Sequence, residues 1–146
     1  MAALLCLYVA ALSTAYAQSV QVANAWARPT APGQTTASAY VELTSDIQAA
    51  LIAAGSPLAA RAELHSMSMD GGIMRMRAVP RLELPAGKTV KLAPGGLHIM
   101  LFELKQPLKT GDKVPIVLTV QSSGTSLITV KLEAEVRPGP AEPHKH

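Results

Sequence analysis

Side chains in this chain alternate with a period of two, and residues that break regular structure interrupt them at short intervals. Thr36 to Leu43 reads T-A-S-A-Y-V-E-L, and Lys88 to Leu92 is a short alternating run. Pro115 to Val120 and Ser126 to Val136 are rich in apolar and β-branched residues, with Ser122-Ser123-Gly124 between them as a hairpin turn. Turn residues recur at Pro32-Gly33, Gly55-Ser56-Pro57, Asp70-Gly71-Gly72, Pro85-Ala86-Gly87, Pro94-Gly95-Gly96 and Gly111-Asp112. Many short strands separated in this way predict an all-β chain, a sandwich or a barrel. The one stretch with helical composition, Ile47 to Ala54, is alanine-rich but too short to stand as a helix by itself.

The first seventeen residues carry no charged side chain and end in Ala15-Tyr16-Ala17, a small-residue A-x-A pattern. The apolar run Ala2 to Leu12 has the length of a signal-peptide core and falls well short of the ~20 residues that span a bilayer. Residues 1–17 are therefore expected to be a cleavable export signal. Residues 18–137 then form one domain with one core, and residues 138–146 a tail. No membrane insertion is expected. Cys6, the single cysteine, would leave with the signal. Leu4 and Leu5 stand directly before it, in place of the small residues that usually precede a lipoprotein cysteine, so no lipid anchor is expected. The mature protein would have no disulfide, no thiolate ligand and no cysteine nucleophile.

The 13 basic and 10 acidic residues are interspersed, and aromatics make up 3% of the chain, too few to build base-stacking platforms. No nucleic-acid partner is expected. The last ten residues, Arg137 to His146, contain three prolines and almost no apolar side chain, the composition of a disordered tail. His144 and His146 form an i, i+2 pair there that can take up a divalent metal.

Methionine is distributed unevenly. After Met1, all five (Met67, Met69, Met74, Met76 and Met100) fall between positions 67 and 100, with His65 just ahead of that window and His98 inside it. A single methionine is most often core filler and a lone histidine a structural one. The combination argues otherwise. His65-x-Met67 and His98-x-Met100 are i, i+2 pairs on predicted strands, so each pair projects from one face. Met74 and Met76 share a face after the tight Asp70-Gly71-Gly72 turn. Three such strands can bring imidazoles and thioethers together. A thioether is a soft neutral ligand that favours Cu(I), and imidazole tolerates copper in either oxidation state. With no cysteine and no carboxylate in the expected cluster, the donor set points to Cu(I), with Ag(I) as its mimic. Strand periodicity leaves Met67 and Met76 equally placed as a ligand. Arg75 and Arg77 alternate with Met74 and Met76 and are expected on the opposite face.

His65, ten residues, Met76, twenty-one residues, His98, one residue, Met100: this H-x10-M-x21-H-x-M spacing resembles the signature of the periplasmic copper chaperones of the PCu(A)C family. Ala25-Trp26-Ala27-Arg28-Pro29, Pro32-Gly33-Gln34, Ala39-Tyr40, Met67 to Met76, Leu84-Pro85-Ala86-Gly87 and Pro94-Gly95-Gly96 are similar to the family as well, so the resemblance runs from about Val22 to Val136. It implies a cupredoxin-like Greek-key β-barrel or sandwich holding one Cu(I) through His65, Met76, His98 and Met100, with Met67 a neighbour or alternate ligand. It further implies a periplasmic protein that delivers copper toward cytochrome oxidase assembly, and the chain is expected to be a monomer. The acceptor would be the oxidase copper subunit or a thioredoxin-like assembly factor. Some members bind a second copper, as Cu(II), on a longer C-terminal extension, of which this chain keeps only His144 and His146.

An electron-transfer cupredoxin needs a His2Cys set that the mature chain lacks. An enzyme needs a nucleophile with its base, or a metal-bound water, and no such arrangement is visible: Ser66 beside His65 should face away from it. Two other readings share the sequence features. One is a copper storage or tolerance protein with the same site, and the other is a metal-free β-sandwich interaction module. Trp26 reads as a structural anchor.

Overall fold

The computed structural model describes residues 20–139. The proposed signal, Cys6, and the tail histidines His144 and His146 lie outside the described residues. Ten strands follow one another: β1 (Val20–Ala27), β2 (Ala37–Ser45), β3 (Ala49–Gly55), β4 (Ala59–Asp70), β5 (Ile73–Ala78), β6 (Leu82–Leu84), β7 (Thr89–Leu92), β8 (His98–Leu104), β9 (Lys113–Ser122) and β10 (Leu127–Val136). There is no helix among the described residues, and so none long and apolar enough to cross a membrane. The alanine-rich stretch resolves as a bend followed by β3. Ala49, Ala50 and Leu51 are buried there, and β3 pairs with both β9 and β6, so sheet pairing overrides alanine's helical preference.

Seven strands close on themselves in the order β4-β8-β2-β1-β10-β9-β3, with β3 returning to β4 through Ala54 and Ala62. Closure removes the exposed edges that an open sheet would present. Strands β6 and β7 thicken the rim by pairing with β3 and β2. Neighbours run antiparallel except β1 and β10, which are parallel. Alternation supplies the core: Ala37, Ala39, Val41 and Leu43 of β2, Ile99 and Leu101 of β8, and Val114, Ile116, Leu118 and Val120 of β9 all point inward. Three alanines, Ala27, Ala37 and Ala39, are buried where β1 pairs with β2 and β2 with β8.

Two irregularities position the site. β1 carries one extra residue between Ala23 and Trp26, with Asn24 at φ 50°, a left-handed conformation that asparagine tolerates better than most residues. This bulge puts Trp26 directly across from Tyr40 on the outside of the barrel. Trp26 is buried but does not belong to the main core. Its ring packs on Tyr40 at 4.5 Å between centroids, and Gly139, just past β10, lies against it.

The second irregularity is the length of β4. It pairs with β8 from Ala59 to His65 and with β5 from His65 to Asp70, so that its last residues run past the end of β8. Gly71 and Gly72, at φ 58° and 80°, form the two-residue turn. Positive φ at both positions is the geometry that matches strand twist in a tight hairpin. The β4–β5 ribbon therefore projects as an arm, and every residue of β5 is exposed.

Candidate metal centre

The site lies on the outer face of the barrel, where β5, β4, β8 and β2 are neighbours. Direct cross-strand pairing puts His65 opposite His98, Glu63 opposite Met100, and Met67 opposite Met76. Residues directly opposite on antiparallel strands share a face. His65, Met67, Met76, His98 and Met100 therefore share one face, as the alternation predicts. Ser66, Arg75 and Arg77 occupy the other, and Arg75 faces Asp70 at 3.8 Å.

The two imidazoles form the centre, with ring centroids 6.0 Å apart. His98 is buried although it faces outward. Tyr40 stands at 6.4 Å from it, and Phe102 packs at 5.8 Å from His65. Arg61 lies over the Phe102 ring at 4.4 Å. The aromatic row Trp26–Tyr40–His98–His65 thus crosses four adjacent strands and walls the site on the β1 side. On the β5 side, Met67 is half-buried and Met76 is 45% exposed.

Hydrogen bonds fix both ring tautomers. His65 Nε2 lies 2.8 Å from Glu63 Oε2. A carboxylate only accepts, so Nε2 carries the hydrogen and donates it, and in the neutral ring Nδ1 is left with a bare lone pair. His98 Nδ1 donates to the Gly96 carbonyl at 3.1 Å, which leaves Nε2 bare. His65 Nδ1 and His98 Nε2 are also the buried side-chain nitrogen or oxygen atoms that lack any hydrogen-bond partner among the described residues. A buried polar atom without a partner costs about 1–3 kcal/mol. Two such atoms on rings 6.0 Å apart are a site poised for an electrophile. Met100 is held too, since Ser38 Oγ donates to its sulfur at 3.6 Å.

One expectation is corrected here. The cluster is not free of carboxylates, because Glu63 shares its face and holds His65. The Glu63 carboxyl sits below its ordinary value of 4.5, chiefly because of the hydrogen bond with His65 and then through the charge of Arg61. The signal was present in the sequence as Glu63-Leu64-His65, an i, i+2 pair like the two His-x-Met pairs. Tyr40, Phe102 and Ser38, from distant parts of the chain, could be assigned to the site only once the strand order was known.

A closed all-β barrel with these donors on its outer face has the cupredoxin-like architecture of PCuAC domains. The chain is similar in fold to the apo PCuAC domain from PmoF1, with a TM-score of 0.63 and 22% identity over 84% of this chain and 95% of that one. It is 31% identical to DR1885 from Deinococcus radiodurans. The apo solution structure of that protein gives a TM-score of 0.59 over 94% of this chain and 95% of that one. The structure of its CuI form gives 0.58 over 82% and 77%. "Putative lipoprotein Lxx21020" of Leifsonia xyli subsp. xyli is 36% identical over 118 residues, 80% of this chain and 71% of that protein. Residues 20–134 match the family described as "Putative lipoprotein LpqE-like", and the chain belongs to that family.

Proposed function

We propose that this protein is a Cu(I) carrier of the cell envelope that binds one ion through His65, Met76, His98 and Met100 and releases it to an acceptor protein. The observation that carries this reading is the pair of bare, buried ring nitrogens, His65 Nδ1 and His98 Nε2, on imidazoles 6.0 Å apart. A metal bound to one ring nitrogen at about 2 Å lies roughly 3 Å from that ring's centroid, so rings at this separation can share one ion. Met100 on β8 and Met76 on β5 add thioethers from either side, with Met67 opposite Met76 as an alternate donor. Support also comes from DR1885, a 31%-identical relative with a solution structure in its CuI form.

Neutral imidazole and thioether donors suit a carrier. They hold Cu(I) without the strong binding of thiolates, and they avoid thiol oxidation in an exported compartment. Exposure of Met76 leaves one ligand reachable by a docked partner, so transfer proceeds by exchanging donors one at a time. The reading is of a binding protein rather than an enzyme. Export through residues 1–17, a periplasmic location, a monomeric state and an acceptor in cytochrome oxidase assembly belong to the same proposal, and the lipoprotein-like family description supports an envelope location. The tail pair His144 and His146 is proposed as a weak secondary Cu(II) site.

Anaerobic titration with Cu(I) against a chromophoric chelator tests the reading. One tight equivalent, weakened by about tenfold or more in Met76→Leu and His98→Ala, is the expected result. Failure of the protein to compete would leave the metal-free β-sandwich as the better description.

A further inference from the structure

The β4–β5 arm carries two methionines that the inner site does not use. Met69 is 66% exposed and Met74 is 62% exposed, and neither packs on the core. They are direct cross-strand partners. The turn makes their geometry specific. With Gly71 and Gly72 as the two turn residues, Asp70 and Ile73 form the hydrogen-bonded pair that closes the hairpin. Pair types alternate from there, so Met69–Met74 and Met67–Met76 are both non-hydrogen-bonded pairs, with Cα atoms about 4.5 Å apart and side chains at their closest. The two pairs share a face and are separated by two residues along the ribbon, about 7 Å.

We propose that Met69 and Met74 form a second, outer site for a soft monovalent cation, Cu(I) or its mimic Ag(I), weaker than the inner site and in line with it. Two neutral thioethers side by side match the low coordination number and soft character of these ions, and they offer nothing to Zn(II), Mg(II) or Ca(II). Packing does not account for the pair, since two long apolar side chains stand in solvent at the end of a ribbon. The charges of the arm, Asp70, Arg75 and Arg77, lie on its opposite face and neither repel nor neutralise the ion. Beyond the outer pair come Met67–Met76 and then His65 opposite Ala78, so thioether and imidazole donors continue inward along one face in steps of about 7 Å. The outer pair is thus placed where an ion would enter or leave.

Silver(I) titration of the full chain, with the methionine methyl groups 13C-labelled and followed by NMR, tests this proposal. The expected result is that Met76 and Met100 methyls shift with the first equivalent, and Met69 and Met74 methyls shift saturably with a second. In the double variant Met69→Leu/Met74→Leu the second event disappears, while first-site affinity stays within twofold. The proposal is overturned if the Met69 and Met74 methyls stay still under excess silver while Met100 moves. It is equally overturned if they move in step with Met100 at the first equivalent, which would make them part of the inner site. Shifts at Met69 and Met74 with none at Met76 and Met100 would uphold the outer site while removing the inner-site assignment.

Discussion

His65 and His98 are direct cross-strand partners on β4 and β8, and each ring is held by a hydrogen bond through one nitrogen, His65 Nε2 to Glu63 and His98 Nδ1 to the Gly96 carbonyl. The other nitrogen of each ring, His65 Nδ1 and His98 Nε2, is buried without a hydrogen-bond partner, a cost of about 1–3 kcal/mol each that a bound metal ion would offset.

Removing a donor should separate affinity from stability. His98→Ala deletes a ring that is buried outside the main core, and Met100→Leu is close to volume-conserving, a change that usually costs less than ~1.5 kcal/mol. Each variant is expected to lose at least about tenfold in Cu(I) affinity, by analogy with the 10–100-fold effect of losing even an outer-sphere partner. Thermal melting should shift by only a few degrees. Chelator competition and a melting curve check this, and unchanged affinity in both variants would refute the donor set. By contrast, Leu101→Ala in the fully buried core should cost about 2–5 kcal/mol of stability.

The tautomers are themselves a prediction. In the metal-free protein, long-range 1H–15N correlation spectra at neutral pH should show His65 protonated on Nε2 and His98 on Nδ1. Addition of Cu(I) should move the resonances of the other two nitrogens, His65 Nδ1 and His98 Nε2. The opposite tautomer at either ring in the metal-free protein would contradict the hydrogen-bonding scheme.

Much of this site is legible in the sequence because it obeys strand periodicity. His65-x-Met67, His98-x-Met100 and the Asp70-Gly71-Gly72 turn are local patterns whose geometry follows from a two-residue repeat and a glycine's access to positive φ. Turn residues likewise place most strand ends, and β2, β7, β9 and β10 fall where the alternation puts them. What could not be read depends on which strands become neighbours. Ser38 touches Met100 across 62 positions of sequence, and Tyr40 reaches His98 only because β2 and β8 are adjacent. Trp26 reads as an anchor, but only the β1 bulge shows that it anchors the outer aromatic row rather than the core. Glu63-Leu64-His65 is as local a pattern as the His-x-Met pairs, but beside Arg61, which lies 3.1 Å from it, Glu63 has the look of one half of a solvated ion pair.

Glu63 should matter through His65. Glu63→Ala removes the acceptor that orients the ring and is expected to weaken Cu(I) binding by about 10–100-fold, whereas Glu63→Gln, which keeps a carbonyl acceptor, should fall between that variant and the wild type. The carboxyl also makes a pH signature in the metal-free protein. Its folded-state pKa lies below the ordinary 4.5, first through the hydrogen bond from His65 and then through Arg61. A depressed carboxylate stabilises the fold above its unfolded pKa, and that contribution is lost as pH falls through the lowered value. The wild type should therefore lose stability relative to Glu63→Gln as pH drops below about 4.5, and the difference should level off once the carboxyl is protonated in both states. Urea denaturation across that range measures it, and a pH-independent difference would remove the carboxylate's assigned partner. The side chain is 39% exposed, so the effect will be small.

The turn at Gly72 gives the sharpest separation between folding and function. Gly72 sits at φ 80°, and a β-branched side chain in a left-handed conformation costs about 1–2 kcal/mol. β5 pairs with β4 alone, and a two-stranded ribbon is marginal without further support. Gly72→Val should accordingly unzip the arm while the closed barrel survives. Melting temperature should change little, amide exchange of Met74 to Ala78 should quicken, and Cu(I) affinity should fall by about tenfold, the cost of roughly 1.4 kcal/mol, as Met76 leaves its place beside Met67. Gly124→Val is the control. Gly124, at φ 109°, lies in the β9–β10 turn, which carries none of the donors, and the two strands it joins belong to the barrel itself. Strain there should lower the melting temperature and leave Cu(I) affinity intact. If Gly72→Val and Gly124→Val affect both quantities alike, the arm is part of the barrel's cooperative unit, and Met76 cannot be the independently released ligand that handover requires.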